Sequence, residues 1–351
     1  MVQEGKKRIL WIDVLKGFLI LLVVLGHCIQ YTVCDCNENY FWNLIYSFHM
    51  PAFMAISGYL YFRPQSTVNS QQSTVNSQQS RNLYFSIRKR TKQLFIPFLS
   101  WSLVYLFLKN SYSFESVFRI FLKPDGGFWF LWVLFVIFVL FCVTIELSKK
   151  VKFNSDISLL FVCLLLVSFM VLFEFRLFGY QFIAYYFLFF VFGYFFHKFY
   201  SFIPKWMLSE GIIFIVFMLW FITASWWRMK TLPPFLEGIP IIPSALLQYA
   251  YRFFVAFCGI YVLLNFAPRF FDSETVINKI LGRFGTMSLG IYPVHLLLIY
   301  LGGIKGLKNI FPAFNNLEIV FISFLMFSCF SYGIIWVLGR NRITSRLFLG
   351  K

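Results

Sequence analysis

Lys16 and His27 stand eleven residues apart in the apolar run WIDVLKGFLILLVVLGHCIQY, residues 11–31. At 3.6 residues per turn that spacing is close to three whole turns, so both side chains leave the same face of one helix, about 16 Å apart along its axis. A lone Lys so near a span end would snorkel to the headgroups, and a lone His would be a hydrogen-bonded residue of a bundle interior. Two ionisable groups on one face inside lipid point instead to a pathway or a site, because such groups face the bundle interior and are costly to keep. Gly17 and Gly26 flank the pair, and Gly permits close approach by a neighbour or a ligand. Asp13 precedes His27 by fourteen residues, too far along the axis to orient it, and is expected to pair with basic neighbours.

Two later segments repeat the pattern. IYSFHMPAFMAISGYLYF carries His49 just before Pro51, with Ser57 and Gly58 further on, and GTMSLGIYPVHLLLIY carries Tyr292, Pro293 and His295. Pro removes a backbone hydrogen bond and bends a helix, and a broken helix at membrane depth is tolerated where it lines an enclosed or wet cavity. Three of the four His are therefore expected inside the membrane, while His197, in FFHKFY at a span end, is expected at the interface. No His-x-x-x-His or carboxylate-paired spacing accompanies them, so no metal is expected. Arg88, Lys89, Arg90 and Lys92 form a basic cluster. It reads either as a topology signal or as a phosphate-binding patch, since guanidinium forks suit phosphate oxygens.

The elements that must position these groups follow from composition. Of 351 residues 60% are hydrophobic, 13% are charged and fifty are Phe, with a mean hydropathy of +0.74; soluble domains average about 25% charged. The fold class is therefore all-α, a polytopic membrane helix bundle. A span needs about 20 apolar residues, and ten segments qualify, near 9–30, 41–62, 93–109, 127–147, 157–174, 180–199, 211–227, 244–265, 284–303 and 318–338. The net charge of +17 sits in short runs between these spans, which sets orientation and speaks against nucleic acid as a partner. Most basic residues fall on one side, so both termini are expected in the cytoplasm, with Lys16 toward that side and His27 in the outer half of the bilayer. The basic residues at 6–8 lie just ahead of the first span, which is read as a retained helix rather than a cleaved signal, for want of a small-residue cleavage site. The seven Cys form no disulfide framework, and Cys34 and Cys36 read as free thiols.

One membrane domain is expected over residues 1–351, interrupted by a low-complexity cytoplasmic loop at 65–80. There STVNSQQ occurs at 66–72 and again unchanged at 73–79. A polar, uncharged tandem has no apolar face to bury and should be disordered. Deleting 66–79 is expected to leave activity near wild type, and loss of activity at equal protein level would show that the loop has a function.

Taken in order, WIDVLKGFLILLVVLGH, FHMPAFMAISGYLYF, RKRTKQLFIPFLSW, FWFLWVLF and GTMSLGIYPVHLL resemble the acyltransferase-3 family of integral membrane O-acyltransferases, with the nearest likeness to its branch of fucose 4-O-acetylase and related acetyltransferases. The likeness runs from about residue 8 to 340, and the first two motifs together are its most specific part. It implies transfer of an acyl group, usually acetyl from cytoplasmic acetyl-CoA as a donor substrate with no resident cofactor, to a hydroxyl of a cell-envelope glycan or its lipid-linked precursor. The family's motif of a basic residue, ten residues and a His falls on Lys16 and His27; many members carry Arg where this chain has Lys16, which keeps the charge without the bidentate fork. A second motif, two Arg three apart ahead of a Pro, falls on Arg90 and Gln93, so the second position departs from it.

A donor that carries phosphates at one end and a thioester at the end of a long arm would need cations low and a base high on one wall. Lys16, Arg88 and Arg90 are the expected donor contacts. His27 is expected as general base or as a nucleophile through acyl-imidazole, with His49 as a further catalytic candidate. Asp13, Ser57, Tyr292 and His295 are the remaining candidates. The expected partners are acyl-CoA, the glycan or lipid-linked sugar, and the bilayer of the cytoplasmic membrane. The rival class is a non-enzymatic transporter or flippase of lipid-linked sugars, which broken helices and midplane polar groups would equally suit; against it, the two halves show no inverted repeat.

Overall fold

The computed structural model describes residues 9–62, 75–111, 113–124, 127–173, 175–229, 231–237, 239 and 242–351, with backbone alone over 75–82. Among these residues the chain is all-helical: α1 Leu10–Thr32, α2 Tyr40–Tyr59, α3 Val75–Arg90, α4 Ile96–Leu108, α5 Phe114–Leu122, α6 Trp129–Lys150, α7 Ser155–Leu172, α8 Tyr180–Lys198, α9 Glu210–Ala224, α10 Ser244–Phe270, α11 Val276–Tyr300, α12 Gly303–Ile310, α13 Asn316–Leu338 and α14 Arg342–Leu349. Lipid offers no partner for backbone polar groups, so an apolar chain crossing it must bond internally. The ends are closed locally: Asn154 accepts from the backbone N–H groups of Asp156 and Ile157 at the start of α7, and Thr275 accepts from that of Asn278 at the start of α11.

Each of the ten apolar segments is occupied by a helix, but fewer than ten qualify as spans. Seven helices are long and apolar enough to cross a membrane, or eight when the bent pair Val276–Tyr300 and Gly303–Ile310 is one span. The two left over are α9, which has 15 residues, and α2, whose 20 residues include Asn43, Ser47, His49 and Ser57. Polar groups that serve the interior lower the hydropathy of α2, which is why length alone overcounts. A second expectation also changes. Neither Pro51 nor Pro293 breaks its helix; α2 and α11 are helical through them. A proline removes one internal bond, and the neighbouring turns are enough to carry the helix past it. Of the tandem repeat, residues 66–74 lie outside the described residues, whereas α3 starts inside the second copy at Val75.

The chain divides into two compact units. One comprises Met1–Phe53 and Ile203–Ile335, the other Met54–Phe202 and Trp336–Lys351. In the first, α1 packs along α11, and the approach is so close that a Cβ on Gly17 would overlap the carbonyl of Leu281, and one on Gly285 that of Asp13. Small residues that let backbones approach are the usual device for joining helices in lipid. Gly17 meets Gly285, while the His27 and His295 rings lie 5.4 Å apart and the Tyr31 and Tyr300 rings 6.1 Å apart, so the two helices run parallel. Of the seven candidate spans α1 is the best enclosed: 61% of its apolar window is buried, against 17% for α7, whose exposed Leu and Phe side chains suit a lipid-facing helix. In the second unit the same device recurs, with Gly58 against the Phe190 carbonyl and Gly193 against that of Ala55. There α14 packs on α4, where the Trp101 indole donates to the Phe348 carbonyl at 3.1 Å.

Candidate active site

The close seam between α1 and α11 brings His27 and His295 together, because each lies ten residues beyond the Gly that sets the approach, Gly17 or Gly285. Helix α2 adds Tyr46, whose ring meets that of His27 edge-on at 6.0 Å. Its hydroxyl donates to Gln30 Oε1 at 2.6 Å and lies 3.1 Å from His27 Nδ1, while Gln30 Oε1 is also 3.1 Å from that nitrogen. Each helix supplies neighbours three or four residues apart, which is the spacing that puts side chains side by side: His27 with Gln30 on α1, and Trp42, Tyr46 and His49 on α2. Trp42 stacks on Tyr46 at 4.1 Å and His49 meets it edge-on at 4.8 Å. Gly26 makes the room, since a Cβ there would lie 2.8 Å from the Tyr46 ring.

The two other His of this cluster are buried, His49 at 2% exposure and His295 at 0%. Each has its Nδ1 against the carbonyl four residues back, His49 to Ile45 at 2.6 Å and His295 to Ile291 at 2.9 Å. A carbonyl only accepts, so both are Nδ1–H tautomers with a lone pair on Nε2. Tyr292 is buried and 6.0 Å from His295 between rings. Among the described residues no group of three or more His, Cys, Asp or Glu could hold a metal ion, and all seven Cys are free thiols.

At the other end of α1, Lys16 Nζ lies 3.8 Å from Asp13 Oδ1, both side chains retaining about a quarter or less of their exposure (26% and 19%). A partly exposed pair of this kind contributes little to stability, of the order of 0–1 kcal/mol, and keeps a cation at this end of the helix. The remaining candidates belong to the second unit. Ser57 sits beside the tightly packed Gly58, Arg88 is exposed, and Arg90 donates to Gln93 Oε1 at 3.3 Å with its guanidinium 4.9 Å from the centre of the Phe138 ring. Between α3 and α4 the helix widens to a π-turn over Thr91–Phe95, a local distortion frequent at functional sites. His197 stacks on Tyr59 at 3.9 Å with Nδ1 2.8 Å from the Tyr59 carbonyl, a satisfied structural contact.

Gln30 and Tyr46 were not singled out by sequence reasoning. The signal was present as Gln30 three residues after His27 and Tyr46 three before His49, yet which faces meet is a tertiary matter.

In class this is a multi-pass helical membrane protein that clusters three imidazoles within its helices, with a cation three turns from His27 on the same helix. The chain belongs to the acyltransferase-3 family, whose acyltransferase domain matches residues 9–339. Among curated proteins it is similar to nodulation protein NolL of Mesorhizobium japonicum, 29% identical over 134 residues that make up 35% of this chain and 32% of that protein. It is likewise similar to nodulation protein NolL of Sinorhizobium fredii, 36% identical over 101 residues, 28% of this chain and 24% of that protein. The matched region thus spans about a third or less of these relatives' length. No solved structure matches the chain.

Proposed function

We propose that the chain is a single-domain O-acyltransferase of the cytoplasmic membrane, with both termini in the cytoplasm. It moves an acetyl or other short acyl group from acyl-CoA to a hydroxyl of an envelope polysaccharide or lipid-linked glycan, in the manner of the fucose 4-O-acetylase branch that it resembles. The observation that carries this reading is the convergence of His27 with Gln30, Tyr46 and His295, eleven residues from Lys16 on one helix. His27 acts as general base, a role typically worth about 10²–10⁴-fold in rate, and Lys16 on the same helix binds the anionic end of the donor; Arg88 and Arg90 are candidate donor contacts on the second unit. His49, Tyr292 and His295 contact the acceptor or the developing oxyanion, and Ser57 is a separate candidate on the second unit. Family membership favours this over a transporter or flippase. Purified protein incubated with radiolabelled acetyl-CoA and a total envelope glycan extract should label the glycan; transport without labelling would reverse the choice.

The donor assignment has its own test. Lys16→Ala is expected to raise the KM for acetyl-CoA about tenfold or more, the scale of one charge-assisted contact, while leaving the acceptor KM unchanged. Lys16→Arg should retain most of the activity, since the charge persists. Saturation curves in each substrate decide it: an increase in the acceptor KM alone would place Lys16 against the sugar or return it to a headgroup anchor.

A further inference from the structure

The chemistry of a general base depends on which imidazole nitrogen is free, and the contacts around His27 answer that. Tyr46 has one hydroxyl proton, and it is committed to Gln30 Oε1 at 2.6 Å. The same hydroxyl therefore presents a lone pair to His27 Nδ1, 3.1 Å away, and Gln30 Oε1, which only accepts, lies 3.1 Å from the same nitrogen. Two acceptors facing one ring nitrogen require a proton on it. We propose that Tyr46 and Gln30 are positioning residues that hold His27 as the Nδ1–H tautomer, so that Nε2 is the atom that takes the proton from the acceptor hydroxyl.

The proposal rests on His27 being the base and adds what makes it one. In the reaction, Nε2 takes the hydroxyl proton while the hydroxyl oxygen bonds to the thioester carbonyl carbon. The C–S bond then breaks, and the departing sulfur takes the proton back from Nε2, so that an alcohol and a thioester become an ester and a thiol. During the step His27 is an imidazolium, and Nδ1–H becomes a stronger donor to the two oxygens that already face it. The pair thus stabilises the charged form as well as selecting the neutral tautomer. The acceptors are themselves held in place: Tyr46 is stacked by Trp42 at 4.1 Å, met edge-on by His49 at 4.8 Å and seated over Gly26.

The other ionisable groups around His27 are few among the described residues. They include Cys28 and Tyr31 on α1, Tyr46 and His49 on α2, and Tyr292 and His295 on α11, with Cys36 close to Tyr46; the α12 residue Lys308 caps the Thr32 carbonyl at 3.1 Å, five residues beyond. None of these is a carboxylate, so the amide of Gln30 is the group through which the basicity of His27 can be tuned.

Four variants test this against the wild type and His27→Ala, with radiolabelled acetyl-CoA and envelope glycan extract as substrates. Tyr46→Phe and Gln30→Leu should each lower kcat roughly tenfold with little change in either KM, and the double variant should approach the loss seen in His27→Ala. Gln30→Leu should move the ascending limb of the pH–rate profile to lower pH, because the imidazolium loses an acceptor. Gln30→Glu should keep substantial activity and move the limb to higher pH, because a carboxylate stabilises the imidazolium further. A readout independent of turnover is the ¹⁵N spectrum of histidine-labelled protein, with His27 identified by its disappearance in His27→Ala. It should show a protonated Nδ1 in the wild type and a rise of the Nε2–H form in the double variant. An Nε2–H wild type, or a double variant with wild-type kcat and pH profile, overturns the proposal while His27→Ala remains inactive. Full activity in His27→Ala overturns instead the reading on which it stands.

Discussion

His27→Ala is expected to accumulate in the membrane at wild-type level and to lose acyl transfer by about 10²–10⁴-fold, the usual contribution of a positioned general base. The side chain is partly exposed, and its removal leaves a space at the end of the α1–α11 seam without disturbing the Gly17–Gly285 contact ten residues away. The fold should persist for that reason. The measurement is label transferred to glycan per mole of detergent-purified protein, with a size-exclusion profile to show that the variant is folded. Near-normal transfer by a folded variant would remove His27 from the chemistry, and with it the case for Tyr46 and Gln30.

The largest structural effect is expected at Gly285. A Cβ there overlaps the Asp13 carbonyl, and one at Gly17 overlaps the Leu281 carbonyl; both obstacles are helix backbone, which cannot rotate aside as a side chain can. Overfilling an ordinary core costs about 1–3 kcal/mol, and Gly285→Leu should exceed that, giving protein that aggregates on extraction or melts well below the wild type. Gly285→Ala should yield folded protein in part, with activity reduced because separating α1 from α11 draws His295 away from His27. Gly333 supplies the control. It lies within α13, where a Cβ would meet nothing within 4 Å among the described residues, so Gly333→Ala should be neutral or raise the melting temperature slightly, as Ala is favoured over Gly in a helix by up to about 1 kcal/mol. Equal melting temperatures for Gly285→Leu and wild type would show that the seam is not as tight as the carbonyl contacts require.

Sequence alone determined the solvent and the class of fold. A hydrophobic content of 60% with 13% charge, gathered in continuous apolar runs rather than alternating, selects a chain that closes its backbone hydrogen bonds within helices, and all ten apolar segments are helical. The unusual groups were legible on the same basis: Lys16, His27, His49 and His295 stand out because lipid penalises them, and the eleven-residue spacing follows from helix geometry alone. Span count was less legible, because α2 is made polar by the groups it presents to the interior and α9 is short. The prolines misled for a related reason: a single missing hydrogen bond is a local fact, whereas continuity of a helix depends on what its neighbouring turns and partner helices supply.

What only the tertiary structure decided is which faces meet. Periodicity places residues on a face but carries no information about the partner of that face, since any two apolar stripes are nearly equivalent in lipid. The choice falls to shape, here to glycines that admit a backbone carbonyl, and these pair α1 with α11 in parallel so that His27 reaches a residue 268 positions away in sequence, His295. The same packing sets Tyr46 and Gln30 against one nitrogen of His27. A hydrogen bond needs its donor and acceptor placed within a few tenths of an ångström, and that precision exists only once three helices are packed.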